Sequence, residues 1–139
     1  MILVDSSVWI YYYHPSGPEK IKETVKQAIS SDLVAINGII LVEILSGISK
    51  KDDFKKVSSD FKGFHFLSLD EEIFGEASAL GSSLRRKRIT IPATDLIIAS
   101  SALKADCTLY HIDSHFDTLA AHVSLKATNF KKLIGRKKK

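Results

Sequence analysis

Thr90 to Ala120 reads TIPATDLIIASSALKADCTLYHIDSHFDTLA, a helix pattern and then a strand pattern, with acids at both starts and ends. Pro92 suits a helix N-terminus, where its missing N–H leaves nothing unpaired. Leu96, Ile97, Ile98, Ala99, Ala102 and Leu103 leave few polar faces, so this helix is expected to be buried. Asp95 lies just inside its start. Cys107 to Ile112 is short, apolar and partly β-branched, which reads as a strand. Asp113 falls where that strand should end, and Asp117 falls one helical turn later. In open α/β sheets, ligands bind outside the carboxyl ends of the strands. These acids are therefore expected at one site.

The same alternation runs back to the start of the chain. Met1 to Val4 reads as a short strand ending at Asp5, and a helix beginning at Ser6-Ser7 can be capped by Asp5 or Ser6. His14-Pro15-Ser16-Gly17-Pro18 is a break. Ile21, Val25, Ala28 and Ile29 then recur at helical spacing. Leu33 to Asn37 reads as a strand, Gly38 to Ile48 as an apolar helix with one acid, Glu43, and Lys50 to Gly63 as a polar helix. Phe64 to Leu69 reads as a strand. Ser68 and Glu71 have capping-box spacing before a helix with Ile73, Ala77, Leu80 and Leu84 on one face. A weak last strand is expected at Val123 to Leu125. Strands alternating with helices predict an α/β domain, a central parallel sheet flanked by helices.

A chain of 139 residues suits one domain. Its 45% hydrophobic and 26% charged residues are those of a globular protein. The lone Cys107 excludes an internal disulfide and a multi-cysteine zinc site. No apolar run approaches the roughly 20 residues of a membrane span. MILVDSSVWI lacks the basic n-region of a signal peptide, so a cytoplasmic location is expected. The net charge of +4 is carried by residues 131–139; without their six basic side chains the body has 14 basic and 16 acidic ones, a net of −2. The expected division is a domain over 1–130 and a basic tail over 131–139, suited to a polyanion. Arg85-Arg86-Lys87-Arg88 reads either as a solvated helix end favoured by the macrodipole or as a rim for phosphates.

Each acid has an ordinary structural reading. Asp5 and Asp113 can cap helices, Asp95 suits a first turn, and Glu43 can pair with a distant arginine. Together these readings weaken, because two acids follow apolar strands and two sit on apolar helices. Convergence of four carboxylates would be strongly repulsive at low local dielectric. A divalent cation relieves that repulsion without silencing the acids. All-oxygen ligation suits Mg²⁺ or Mn²⁺ rather than zinc. His115 lies between Asp113 and Asp117, but hard cations prefer oxygen, so a packed or surface histidine is expected there. His14, His65, His111 and His122 lack the spacing of zinc ligands. Tyr11, Tyr12 and Tyr13 are expected in the core or at a partner surface rather than stacked on bases.

The segments LVDSSVWI, ILVEILSG, ASALGSSLRRKRITIP and IPATDLIIASSALKADCTLYHIDSHFDTLA, in that order, closely resemble the PIN-domain family, specifically the VapC-type ribonuclease toxins of toxin–antitoxin pairs. The resemblance runs from Met1 to about Phe130. It implies a Mg²⁺-dependent endoribonuclease, with Mn²⁺ as a second candidate ion, and an acidic quartet at Asp5, Glu43, Asp95 and Asp113. Asp117 would be an additional acid. The hydroxyl after the first aspartate would be Ser6 or Ser7, of which Ser7 is the closer match. Asp5 and Asp95 would be the principal metal ligands, with Asp113 completing the set; Glu43 would hold, orient or deprotonate a water. Arg85, Arg86, Lys87 and Arg88 would hold RNA phosphates. A homodimer and a VapB-like antitoxin are the implied partners. Two other classes stay open on residues alone, an aspartyl-phosphate phosphatase and a non-catalytic RNA-binding or regulatory PIN-like module. The first would want a second acid close after its nucleophile, whereas Asp5 is followed by Ser6, Ser7 and Val8.

Overall fold

The computed structural model describes residues 1–135. Five parallel strands form one sheet: β1 (Ile2–Val4), β2 (Val34–Asn37), β3 (His65–Leu67), β4 (Thr108–His111) and β5 (Ala127–Asn129). Their spatial order is β3-β2-β1-β4-β5. Seven α-helices connect them: α1 (Ser6–Tyr13), α2 (Glu19–Ser30), α3 (Gly38–Leu45), α4 (Lys51–Lys62), α5 (Glu71–Arg86), α6 (Ala93–Lys104) and α7 (Ser114–Ala120). The chain builds outward from β1 to β3, then returns through α5 and α6 to lay β4 on the other side of β1. The switch in strand order therefore falls between β1 and β4, where Leu3 pairs with Leu109. In open parallel sheets the crevice at such a switch is where ligands bind.

Burial follows the hydrophobic pattern. Leu3, Val4, Ala35, Ile36 and Leu109 are fully enclosed, as central parallel strands covered on both faces should be. Trp9 on α1 is also enclosed and packs with Tyr12, Tyr13, Phe61 and Phe64, and the three tyrosines are partly buried against the core. Tyr13 completes this cluster by donating its hydroxyl to Asp60 at 2.8 Å. Gly81 on α5 brings that helix close to α6, since a Cβ there would meet Leu96 Cδ1 at 2.7 Å. Leu96 adjoins Asp95, so this close approach helps fix the first turn of α6.

Three local readings are corrected. Helix α5 is capped by Asp70, whose Oδ1 accepts from the Ile73 N–H at 3.0 Å, and not through a Ser68–Glu71 box. The last strand is Ala127–Asn129, not Val123 to Leu125; the N–H of Val123 is spent on Leu119 O, at the end of α7. Residues 131–135 are not a free tail. Phe130–Leu133 form a 3₁₀ turn, with Phe130 buried against Tyr110 at a ring separation of 4.6 Å. Arg136 to Lys139, the rest of the expected tail, lie outside the described residues.

Candidate active site

Asp5 follows directly on β1, and its backbone N–H donates to Tyr110 O at 2.9 Å, joining the carboxyl ends of β1 and β4. Its side chain caps α1: Oδ2 accepts from the Ser7 N–H at 3.1 Å and from Ser7 Oγ at 2.6 Å. Ser7 Oγ in turn accepts from the Ile112 N–H at 3.1 Å. Asp5 is both cap and site residue, and Ser7 positions it. Burial raises the Asp5 carboxyl pKa; the Ser7 and Ser6 hydrogen bonds oppose this, and the Asp113 charge adds to it.

Asp113 stands just beyond β4 as the N-cap of α7, where its Oδ1 accepts from the His115 N–H at 2.9 Å. Its own N–H donates to His111 Nδ1 at 3.2 Å. Asp95 lies in the first turn of α6 and is buried. Burial pushes its carboxyl up to about 6; a hydrogen bond with His115 opposes the rise, and the charges of Asp113 and Asp5 reinforce it. Asp5 and Asp113 therefore both act on the Asp95 carboxyl.

Glu43 joins through a hydroxyl. Asn37, fully buried at the end of β2, caps α3 by accepting from the Ile40 N–H at 3.0 Å. This sets the helix so that Glu43 Oε1 accepts from Ser6 Oγ at 3.0 Å. The residue as a whole is exposed, yet partial burial of its carboxylate raises its pKa, against the Ser6 bond and with the Asp5 charge. Both hydroxyls after Asp5 are thus used, Ser6 on Glu43 and Ser7 on Asp5.

His115, expected to be a packed or surface histidine, is half-buried on α7 and lies beside two of the acids. Its Nδ1 is 2.9 Å from Asp95 Oδ2 and 3.2 Å from Asp113 Oδ1. The available signal was its place two residues after Asp113, one step into the helix that Asp113 caps. Asp117 is engaged elsewhere. Its Oδ2 accepts from Asn129 Nδ2 at 2.8 Å, and its Oδ1 is 3.7 Å from His111 Nε2, too long for a hydrogen bond. Arg85, Arg86, Lys87 and Arg88 are exposed at the end of α5, where Arg85 and Arg86 suit the macrodipole. A cleft of about 580 Å³ between α1, α4 and the segment joining α3 to α4 is lined by Ile10, Tyr13, Ile48, Lys50 and Val57 among others, and by none of the four acids.

The donor set fits a divalent cation. Among the described residues no lysine or arginine pairs with Asp5, Glu43, Asp95 or Asp113, and the basic group beside them is the His115 imidazole. One ligand atom from each of Asp95, Asp113 and His115 lies within 4.8 Å of the others. Such a group can hold a metal ion.

A parallel sheet with acids at its switch point defines an α/β protein with a candidate metal centre. The PIN domain model matches residues 2–121, and the chain belongs to that family. It is 29% identical over 135 residues to "VapC ribonuclease Mb1587" of Mycobacterium bovis, covering 94% of this chain and 100% of the relative. Its fold is similar to that of VapBC2 from Rickettsia felis, solved with a promoter DNA fragment, at TM-score 0.75 and 20% identity over 93% of this chain and 98% of the other. It is also similar to VapBC-5 from Mycobacterium tuberculosis, a member of the VapBC family of toxin–antitoxin systems (TM-score 0.62, 15% identity, 91% and 96% covered). Among the described residues no helix is long and apolar enough to cross a membrane.

Proposed function

We propose that this chain is a metal-dependent endoribonuclease, the toxin of a VapBC-type toxin–antitoxin pair, and that it hydrolyses RNA phosphodiester bonds with Asp5, Glu43, Asp95 and Asp113. The observation that carries the reading is the placement of Asp5 and Asp113 at the β1/β4 switch, with the charges of both acting on buried Asp95. Membership of the PIN family and likeness over nearly the whole chain to a VapC ribonuclease support it. The cofactor is Mg²⁺ or Mn²⁺, which the oxygen donors favour over zinc.

A divalent cation supplies Lewis acidity toward a phosphoryl oxygen and makes a water more acidic. The protein's part is to place groups around that chemistry. Asp5, Asp95 and Asp113 would hold the ion, which would relieve their mutual repulsion. Ser7 fixes the Asp5 carboxylate, and the α7 cap fixes Asp113. Glu43, with Oε1 held by Ser6, keeps Oε2 for orienting or deprotonating the attacking water. Attack by water leaves a 5′-phosphate and does not require the 2′-hydroxyl. Arg85, Arg86, Lys87 and Arg88, with the basic residues near the C-terminus, hold flanking phosphates. The partners are RNA, a VapB-like antitoxin and a second copy of the chain. An antitoxin that inserts a basic side chain among the acids would compete with the cation.

The test is cleavage of a mixed RNA pool by purified, antitoxin-free protein in Mg²⁺ or Mn²⁺ against EDTA, alongside Asp5→Ala. Metal-dependent cuts absent from the variant support the reading. Cuts that persist in EDTA or in the variant, or no cuts by folded protein, count against it.

A further inference from the structure

Helix α7 adds a donor of a different kind to the acids. We propose that His115 is a nitrogen ligand of the divalent cation held at Asp95 and Asp113, and that it gives the site a preference for Mn²⁺ over Mg²⁺. This rests on the cation site argued above and specifies which ion that site selects.

The geometry comes first. Nδ1 is 2.9 Å from Asp95 Oδ2 and 3.2 Å from Asp113 Oδ1. Donors on neighbouring vertices of an octahedron with bonds of about 2.1 Å stand about 3.0 Å apart, so the imidazole already keeps the spacing of a fellow ligand. The ring is held from its own backbone, because the His115 N–H donates to Asp113 Oδ1. Asp113 therefore sets its own position and that of the histidine together. Among the described residues Nδ1 has no partner besides these two carboxylates. Binding exchanges its hydrogen bond to Asp95 for a bond to the ion, while Nε2 carries the ring proton.

The donor chemistry then separates the two ions. Mg²⁺ favours oxygen donors and retained waters. Imidazole suits transition ions, and Mn²⁺ accepts it together with carboxylates. One nitrogen among oxygens keeps a site that both ions can enter and tilts it toward Mn²⁺.

Full-length, chelator-stripped protein is titrated with Mn²⁺ and with Mg²⁺ by calorimetry, and the Mn²⁺ sample is examined by pulsed EPR. Wild type should show coupling of Mn²⁺ to a ligand nitrogen, and His115→Ala and His115→Asp should lose it while still binding Mn²⁺. Losing a partner that merely supports a ligand costs about 10–100-fold in metal affinity, so Mn²⁺ affinity should fall at least about tenfold in His115→Ala, and the Mn²⁺-to-Mg²⁺ affinity ratio should fall in both variants. Mn²⁺ binding that depends on Asp95 but shows no nitrogen coupling, with an unchanged ratio in the variants, overturns the role of His115 alone. Folded wild type that binds no Mn²⁺, or binds it equally well as Asp95→Asn, overturns the cation site itself and this proposal with it.

Discussion

Ser7 Oγ donates to Asp5 Oδ2 at 2.6 Å while accepting from the Ile112 N–H, so one hydroxyl ties the end of β1 to the end of β4. Ser7→Ala leaves that N–H unpaired and removes a donor from Asp5. The expected loss of stability is about 1–3 kcal/mol. The Asp5 pKa should also rise, because the Ser7 bonds are what oppose its burial. Urea denaturation in EDTA checks the first effect, and an unchanged midpoint would contradict it.

Asp95 titrates near 6 in the fold, against an ordinary value of 3.8. The folded protein therefore binds this proton more tightly than the unfolded chain does. Its contribution favours the fold at low pH and is lost as pH rises through about 4 to 6, by up to about 3 kcal/mol. Asp5 and Glu43 are raised in the same direction and act alike. In EDTA, Asp95→Asn should gain stability relative to wild type at about pH 7 and much less at about pH 4. A variant whose advantage does not grow with pH would refute this account of the cluster.

Arg88 holds a left-handed backbone, with φ of 62°, at the end of α5. Glycine takes that conformation freely, whereas other residues do so at about 1–2 kcal/mol. Arg88→Gly should raise stability by up to about 1 kcal/mol and weaken RNA binding through one lost phosphate contact. Thermal melts read the first and the salt dependence of RNA affinity reads the second. A more stable variant with an unchanged salt slope would remove Arg88 from the phosphate rim.

The C-terminal segment divides at a different point from the charge pattern. Phe130 is buried, and Leu133 and Ile134 pack on the core. Phe130→Ala should cost about 3–5 kcal/mol. Truncation after Gly135 should change stability by no more than about 0.5 kcal/mol while flattening the salt dependence of RNA binding. Equal destabilisation by the two changes would contradict the division.

The acids at strand ends were legible because their signals are local: an apolar run followed by an acid that can cap the next helix. That pattern placed Asp5 and Asp113 at the carboxyl edge, and the apolar α6 placed Asp95. What escaped depends on docking. β5 is Ala127-Thr128-Asn129, with no hydrophobic pattern of its own, and forms because β4 offers an edge, so the more apolar Val123 to Leu125 drew the assignment. Asp70 displaced the Ser68–Glu71 spacing because capping depends on where the helix starts, which the sequence marks to within a few residues. The contact of His115 with Asp95 depends on α6 and α7 meeting, which no local signal in the sequence carries.

The most direct measurement compares RNA binding and RNA cleavage by wild type and Asp95→Asn in the same Mn²⁺ or Mg²⁺ buffer. The account predicts that the variant still binds RNA, because the basic residues are untouched, while cleavage falls at least about a hundredfold with loss of metal ligation. Cleavage that survives at the wild-type rate in folded Asp95→Asn would contradict a reaction centred on these acids.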